Sequence, residues 1–178
     1  ALSCAREPGL KWPVEPEVRR QSLAELLPVS WQKVERGQAQ RGWVARCLAE
    51  HHYLGYPDPL GQVHYLVRDR QGREVACLLF GRASWKVAVR EAFIGWSEGQ
   101  RQKGLGYLAN NSRFLILPWV QVPGLASHLL AGAVRQLRAD WLAQTGRPLW
   151  LVETFVERER FAGTCYRAAN WLLVGQTR

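Results

Sequence analysis

The sequence is poor in features that would assign a protein class immediately. Its longest apolar runs, such as Phe114–Leu117, are far shorter than the roughly 20 residues that a membrane-spanning helix needs. Its four cysteines and four histidines include no C-x-x-C or His-x-x-x-His spacing, so we expect no metal site. It contains no methionine, which indicates a processed chain or a domain cut from a longer protein. Widely spaced cysteines and the lack of a leader segment predict a cytoplasmic protein with reduced thiols.

Acidic residues are also scarce. Asp and Glu number 15 against 24 Lys and Arg, which gives a formal charge of +9. Such a balance predicts a polyanionic partner, either nucleic acid or a phosphate-rich cofactor. A generally soluble basic surface is the alternative. The hydrophobic fraction of 47% and the charged fraction of 22% are typical of a globular domain.

The first 28 residues differ in composition from the rest. Four of the nine prolines fall within residues 1–28. Because proline lacks a backbone N–H and interrupts helices, we predict an irregular arm over residues 1–28. The remaining length suits a single domain over residues 29–178.

Two elements are predicted in the first half of this domain. Apolar residues recur at helical spacing within residues 38–53, which indicates an amphipathic helix. Residues 62–68 and 74–80 are apolar runs joined by a polar turn that contains Gly72, which is typical of a β-hairpin. Residues 84–111 stay ambiguous between strand and helix.

The second half alternates strands with helices. The predicted elements are a strand at 114–117, a helix at 124–142, a strand at 149–156, a helix at 160–169 and a last strand at 171–174. Within the long helix, apolar residues recur every four positions and form one stripe that must face a sheet. This order predicts an α/β fold with crossover connections.

The connection between the first of these strands and the long helix is suited to binding phosphate. Residues 121–126 read Gln-Val-Pro-Gly-Leu-Ala and match a Q-x-x-G-x-A pattern. Small residues at Gly124 and Ala126 allow close approach of the backbone, and a helix start offers unpaired N–H groups and partial positive charge. A tight turn without a ligand is the alternative, and Pro123 removes one N–H from the loop. A second match at 101–106 follows no clear strand, and we treat it as accidental.

This order of elements and the 121–126 pattern resemble the C-terminal half of the GNAT acetyltransferase fold. The resemblance implies an α/β domain with a mixed, mostly antiparallel sheet and helices on both faces. It also implies that acetyl-coenzyme A or another acyl-coenzyme A binds at the loop, with an amine as acceptor. The loop residues concerned are Gln121, Val122, Gly124, Leu125 and Ala126.

The end of the chain carries the same resemblance. Tyr166 precedes Asn170 and Trp171, where the family has a glycine-aromatic pair, and asparagine tolerates left-handed backbone angles. The resemblance implies that Tyr166 acts as a general acid toward the departing thiolate. Packing of a buried tyrosine against Trp171 is the alternative.

Glu153 is a candidate general base for the attacking amine. Its apolar neighbours, residues 151–152 and 155–156, would desolvate the carboxylate and raise its pKa. A hydrogen-bonded glutamate with a structural role is the alternative.

Four longer sequence segments resemble the Druantia anti-phage protein DruA-like family. They are His-Tyr-Leu-Gly-Tyr at 52–56, Phe-Ile-Gly-Trp-Ser at 93–97, the run at 110–118 and the run at 163–171. The resemblance implies a bacterial source and a defence context, with members also found beside transposases. DNA and the other proteins of a defence or transposition complex are the partners that this context implies. It does not supply a reaction.

A set of basic residues offers a second functional interpretation. The set begins with basic side chains at four-residue spacing and continues with further cations and two tryptophans. The basic side chains could bind phosphates, and the tryptophan rings could stack on bases. The set comprises Arg82, Lys86, Arg90, Arg101, Lys103 and Arg113. A solvated basic face is the alternative. The sequence thus predicts an acyl-coenzyme A-binding protein that serves as an N-acyltransferase, or else a non-catalytic nucleic-acid-binding module on the same scaffold.

Overall fold

A computed structural model describes residues 17–57 and 61–177. The strands are Arg19–Arg20 (β1), Ser30–Lys33 (β2), Val63–Arg68 (β3), Glu74–Arg82 (β4), Leu108–Ile116 (β5), Val120–Gln121 (β6) and Leu151–Glu153 (β7). The helices are Leu23–Leu26 (α1), Ala39–His51 (α2), Ala88–Ile94 (α3), Glu98–Gly104 (α4), Leu125–Thr145 (α5) and Thr164–Ala168 (α6). A single 3-10 turn, Leu105–Tyr107, connects α4 to β5.

The main sheet has five strands in the order β2-β3-β4-β5-β7. The first three pairs in this order are antiparallel, and β5 pairs with β7 in parallel. A second, two-stranded sheet joins β1 to β6 in parallel. The predicted mixed, mostly antiparallel α/β architecture is confirmed.

Helices cover both faces of the main sheet. His64 contacts Arg41 of α2, while the hydroxyl of the next residue, Tyr65, donates to Asp140 of α5. Because successive strand residues point to opposite faces, α2 and α5 lie on opposite sides. The apolar stripe predicted for the long helix is buried: Leu125, Leu129, Ala133, Leu137 and Trp141 belong to the core.

The hairpin predicted at 62–80 is confirmed as β3 and β4, and its turn is fixed by a buried carboxylate. One oxygen of Asp69 accepts the backbone N–H groups of Gln71 and Arg73, each at 2.9 Å. The other forms ion pairs with Arg19 and Arg73. Although burial opposes the charge, these bonds outweigh it and lower the pKa of Asp69.

The ambiguous stretch 84–111 resolves into two short helices and the start of a strand. Ser97 caps α4 by accepting the Gln100 N–H, while the Gln100 side chain accepts the Ser97 N–H. This capping box was readable in the sequence as Ser-x-x-Gln, and it fixes where α4 begins.

The N-terminal segment contains regular structure where the sequence predicted an irregular arm. Residues 1–16 lie outside the described residues. From residue 17 onward, β1 pairs with β6, and Ser22 caps α1 through a capping box with Glu25. Leu26 of α1 is buried in the core. The prolines predicted an irregular arm. The pairing of Arg20 with Gln121, 101 positions away, leaves no local signal in the sequence.

The last predicted strand, residues 171–174, is absent from the described structure. Leu172 and Leu173 are 76% and 72% exposed, and the segment forms no ladder. Asn170 does adopt the predicted left-handed conformation, at φ 63°. The strand prediction was wrong because an apolar sequence forms a strand only where a neighbouring strand accepts its hydrogen bonds.

Candidate functional site

The site begins where two neighbouring strands separate. β5 pairs with β4 along its length, but it pairs with β7 only at residues 108–110, opposite 151–153. Beyond Asn110 and Glu153, the same edge of β5 faces no strand within the described part of the chain. We call the gap that opens between β5 and β7 the cleft: residues 111–116 form its β5 side, and the chain after β5 leads through β6 to the start of α5.

Three polar side chains meet at the vertex of this cleft. The Tyr166 hydroxyl donates to Asn111 Oδ1 at 3.1 Å, and Thr154 Oγ1 donates to the Asn111 carbonyl at 3.1 Å. Asn111 is itself buried, and its amide group donates to the carbonyls of Leu79 and Arg113. Burial raises the pKa of Tyr166 to about 12, so the phenol is protonated near pH 7.

A β-bulge lies beside this vertex. Leu79 pairs with Arg113 and the next residue, Phe80, pairs with Asn111, so Ser112 is an extra residue in β5. The Ser112 hydroxyl contacts the Gln62 amide at 3.4 Å. A bulge increases local twist, and this one lies where the pairing of β5 with β7 ends.

The loop predicted to hold phosphate lies at the other end of the cleft. Gly124 precedes the first turn of α5 with φ 78°, a left-handed angle that favours glycine. A β-carbon at this position would meet only the Leu23 side chain, at 3.9 Å. Leu125 is buried and its N–H bonds to the Val122 carbonyl, so its contribution is to the core. Gln121 is exposed and Ala126 is half-buried.

A residue that sequence analysis did not select adds charge to this loop. Arg20 of β1 donates through Nε to Gln121 Oε1 at 3.0 Å. Arg20 is exposed, and no carboxylate of the described residues forms an ion pair with it. The N-terminal segment therefore brings a guanidinium to the start of α5.

Glu153 lies next to the vertex but is engaged by protein groups. One oxygen accepts the Ser84 backbone N–H at 2.9 Å, and the other forms an ion pair with Arg90 at 2.9 Å. The Arg90 side chain is 4% exposed. A carboxylate held by a buried arginine has a structural role, because protonation would break that pair. This geometry disfavours the predicted general base.

The predicted basic face is divided between buried and exposed residues. Arg90 and Arg101 are both buried and share the Glu91 carboxylate. Arg113 donates to the carbonyls of Leu54 and Gly55. Arg90 and Arg101 are therefore withdrawn from the predicted contact surface, and Arg113 is half-buried with its guanidinium engaged by backbone carbonyls. Arg82, Lys86 and Lys103 are exposed.

Arg113 also affects a nearby histidine. Burial, followed by the charge of Arg113, lowers the pKa of His52 to about 4. His52 is therefore neutral near pH 7.

Within residues 17–57 and 61–177, no group of three or more His, Cys, Asp or Glu side chains is arranged to hold a metal ion.

The second loop pattern, at 101–106, has a packing explanation. A β-carbon on Gly104 would lie 2.5 Å from the Trp96 ring, and one on Gly106 would lie 2.1 Å from Arg147 Nη1. Gly104 is needed because the Trp96 ring occupies the space beside it, whereas at Gly106 the neighbour is the flexible end of the Arg147 side chain. Among the described helices, none is long and apolar enough to cross a lipid bilayer.

Sequence analysis missed three site residues, and the sequence pattern that could have identified each of them differs in strength. The polar run Asn110-Asn111-Ser112 interrupts an otherwise apolar strand, and that pattern could have marked Asn111 as a site residue. Thr154 follows Glu153 and gave a similar, weaker signal. Arg20 had none, because its place depends on the long-range pairing of β1 with β6.

Comparisons with known proteins show the family and the fold. The family model described as Druantia protein DruA matches residues 14–178. An aminoglycoside antibiotic 6'-N-acetyltransferase, AAC(6')-Ih from Acinetobacter baumannii, is similar in structure, with a TM-score of 0.51 and 12% sequence identity. The match covers 85% of this chain and 95% of that enzyme. At this identity the likeness shows the fold, which is GNAT-like as predicted. No curated protein matches the sequence.

Proposed function

Because this chain belongs to the Druantia protein DruA family and has a GNAT-like fold, we propose that it binds an acyl-coenzyme A in the cleft between β5 and β7. The observation that carries the proposal is the separation of these strands after three residue pairs, with the start of α5 at the open end. We expect a long ligand with phosphate at one end to lie along the open edge of β5 toward the start of α5.

The phosphate end is assigned to the start of α5. Gly124 lets the chain turn without a side chain, and the first turn of a helix presents N–H groups and positive potential. Arg20 adds a guanidinium at Gln121. Pro123 supplies no N–H, so Ala126 and Ser127 at the start of α5 are the amides that we assign to the pyrophosphate.

The middle of the ligand is assigned to the edge of β5. Residues 112–116 have no strand partner on this side among the described residues. An extended chain containing amides, such as the pantetheine arm, can hydrogen-bond to an open strand edge as a peptide does. This contact would use the backbone, so it requires no particular side-chain sequence.

The reacting end is assigned to the vertex. Acyl-coenzyme A, when bound, supplies an activated acyl group. Tyr166 is half-buried there and holds a proton on its phenol, which donates to Asn111. Asn111 orients this hydroxyl, and Thr154 fixes the backbone of Asn111. We retain Tyr166 as the candidate acid and leave Glu153 out of the chemistry.

An amine acceptor completes the proposal. The similar structure is that of an aminoglycoside 6'-N-acetyltransferase, which supports an amine nucleophile without defining it. The three described cysteines are free thiols, in keeping with our expectation of a cytoplasmic protein.

Titration of the full chain with acetyl-coenzyme A tests the proposed function. A ligand that binds only the native state raises its stability, by about 2.7 kcal/mol at 100 times the dissociation constant. We expect a concentration-dependent rise in melting temperature, with weaker rises for pyrophosphate and pantetheine alone because each fills part of the cleft. An unchanged melting temperature with acetyl-coenzyme A, or an equal rise with pyrophosphate alone, would overturn the proposal.

A further inference from the structure

A second surface lies at the other end of the sheet. β4 ends where β5 and β7 begin, since Arg82 pairs with Ala109 and Ala109 pairs with Val152. Tyr107 and Trp150 immediately precede β5 and β7. Residue 147 follows the 21-residue helix α5. About 30 Å therefore separates this end of the sheet from the loop at residues 121–126, which precedes α5.

Two aromatic rings form a fixed platform on this surface. The rings of Tyr107 and Trp150 stack with centroids 3.9 Å apart and planes 11° apart. The backbone N–H of Trp150 also donates to the backbone carbonyl of Tyr107 at 2.8 Å, which links the two residues. Trp150 nevertheless remains 65% exposed. The stack holds a large apolar ring in solvent in a defined orientation, which suits stacking of another planar group.

One cation without an acidic partner lies against the platform, and two more follow in sequence at the end of β4. The Arg147 guanidinium lies 5.4 Å from the centre of the Tyr107 ring, in the space that Gly106 leaves open. No carboxylate of the described residues forms an ion pair with Arg147, Arg82 or Lys86. These cations are exposed, and the net charge of +9 adds to their attraction for a polyanion.

A second exposed ring extends the surface along the end of β4. Trp85 is 61% exposed and lies under the Arg101 guanidinium, 5.4 Å from the ring centre. Arg101 is paired with both Glu98 and Glu91, so these carboxylates balance its charge. The positive charge of this surface therefore comes from the exposed Arg82, Lys86 and Arg147.

We propose that this end of the sheet binds single-stranded nucleic acid, with bases stacking on Trp150 and Trp85 and phosphates contacting Arg147, Arg82 and Lys86. Exposed rings combined with flexible cations are suited to unpaired bases, whereas the bases of a duplex are already stacked on one another. The residues differ from the face predicted by sequence, since Arg90, Arg101 and Arg113 make internal contacts and Trp150, Tyr107 and Arg147 replace them.

Binding of fluorescein-labelled oligo(dT) and oligo(U) to the full chain, followed by anisotropy, tests this surface. Trp150→Ala should weaken binding about 5- to 100-fold, as expected for the loss of one stacked base. Arg147→Gln should reduce the dependence of log Kd on log salt by about 0.7, since one phosphate contact is lost. The matched controls are Phe161→Ala and Arg70→Gln, which change an exposed aromatic and an exposed arginine beyond the opposite ends of the strands.

Melting temperatures establish that each variant is folded before its affinity is compared. Binding of either oligonucleotide that depends on Trp150 supports the proposal, and the two probes distinguish DNA from RNA. Equal binding by wild type and Trp150→Ala would overturn it, as would equally strong competition by poly-L-glutamate, which carries charge without bases. Tighter binding to a DNA duplex than to the single strand would also overturn it.

Discussion

Replacing Arg90 with alanine should lower the free energy of unfolding by about 3–5 kcal/mol. The Arg90 guanidinium is buried, and it donates to Glu153 Oε2 at 2.9 Å and to the Ser84 carbonyl at 2.8 Å. Removing it leaves the carboxylates of Glu153 and Glu91 with less compensation in a desolvated environment. Urea denaturation of the variant and of wild type measures the difference.

Two comparisons make the Arg90 result specific. Arg82→Ala removes an exposed arginine from the same segment and should change the stability by no more than about 0.5 kcal/mol. Glu153→Gln keeps an acceptor for the Ser84 N–H and removes the charge, so its effect should be smaller in the Arg90→Ala background than alone. If Arg90→Ala is as stable as Arg82→Ala, the internal ion pair has no structural role, and Glu153 returns as a candidate base.

Replacing Ala126 with glutamate should weaken acetyl-coenzyme A binding about 10- to 100-fold. The variant places a carboxylate in the first turn of α5, where we assign the pyrophosphate, and two like charges about 4–6 Å apart repel by a few kcal/mol near a protein surface. Calorimetric titration measures the affinity. Because an acidic side chain in the first turn stabilises a helix, the fold should be retained.

The matched control for this variant lies on the same helix. Ala139 is exposed and 13 positions further along α5, so Ala139→Glu makes the same change in net charge far from the loop. Its affinity should equal that of wild type. Equal weakening by both substitutions would indicate a general charge effect, and unchanged binding by Ala126→Glu would place the ligand elsewhere.

The elements that sequence analysis predicted well are those with local signals. The helix α5 has an apolar stripe from Leu125 to Trp141 and a glycine at each end, Gly124 and Gly146. The β3–β4 hairpin has two apolar runs around a turn with Gly72 at φ 78°. Periodicity and turn chemistry determine such elements within about 20 residues of sequence.

The site itself depended on long-range pairing. The cleft exists because β7 pairs with only three residues of β5, and strand length in a sheet is set by tertiary contacts. The four-residue spacing of Lys86 and Arg90 suggested one basic face. Lys86 precedes α3, however, and Arg90 turns inward to meet Glu153, 63 positions away. Charge spacing along a sequence cannot reveal such a partner.

The central claim is that acetyl-coenzyme A binds in the cleft between β5 and β7. Hydrogen–deuterium exchange with and without this ligand tests the claim most directly, because it reports which backbone amides become protected on binding. The account predicts slower exchange in two segments, residues 112–116 on the open edge of β5 and residues 124–128 at the start of α5. Exchange around Trp150 should not change. Protection limited to the Trp150 surface, or the absence of protection at both predicted segments under saturating ligand, would contradict the claim that this cleft is the coenzyme site.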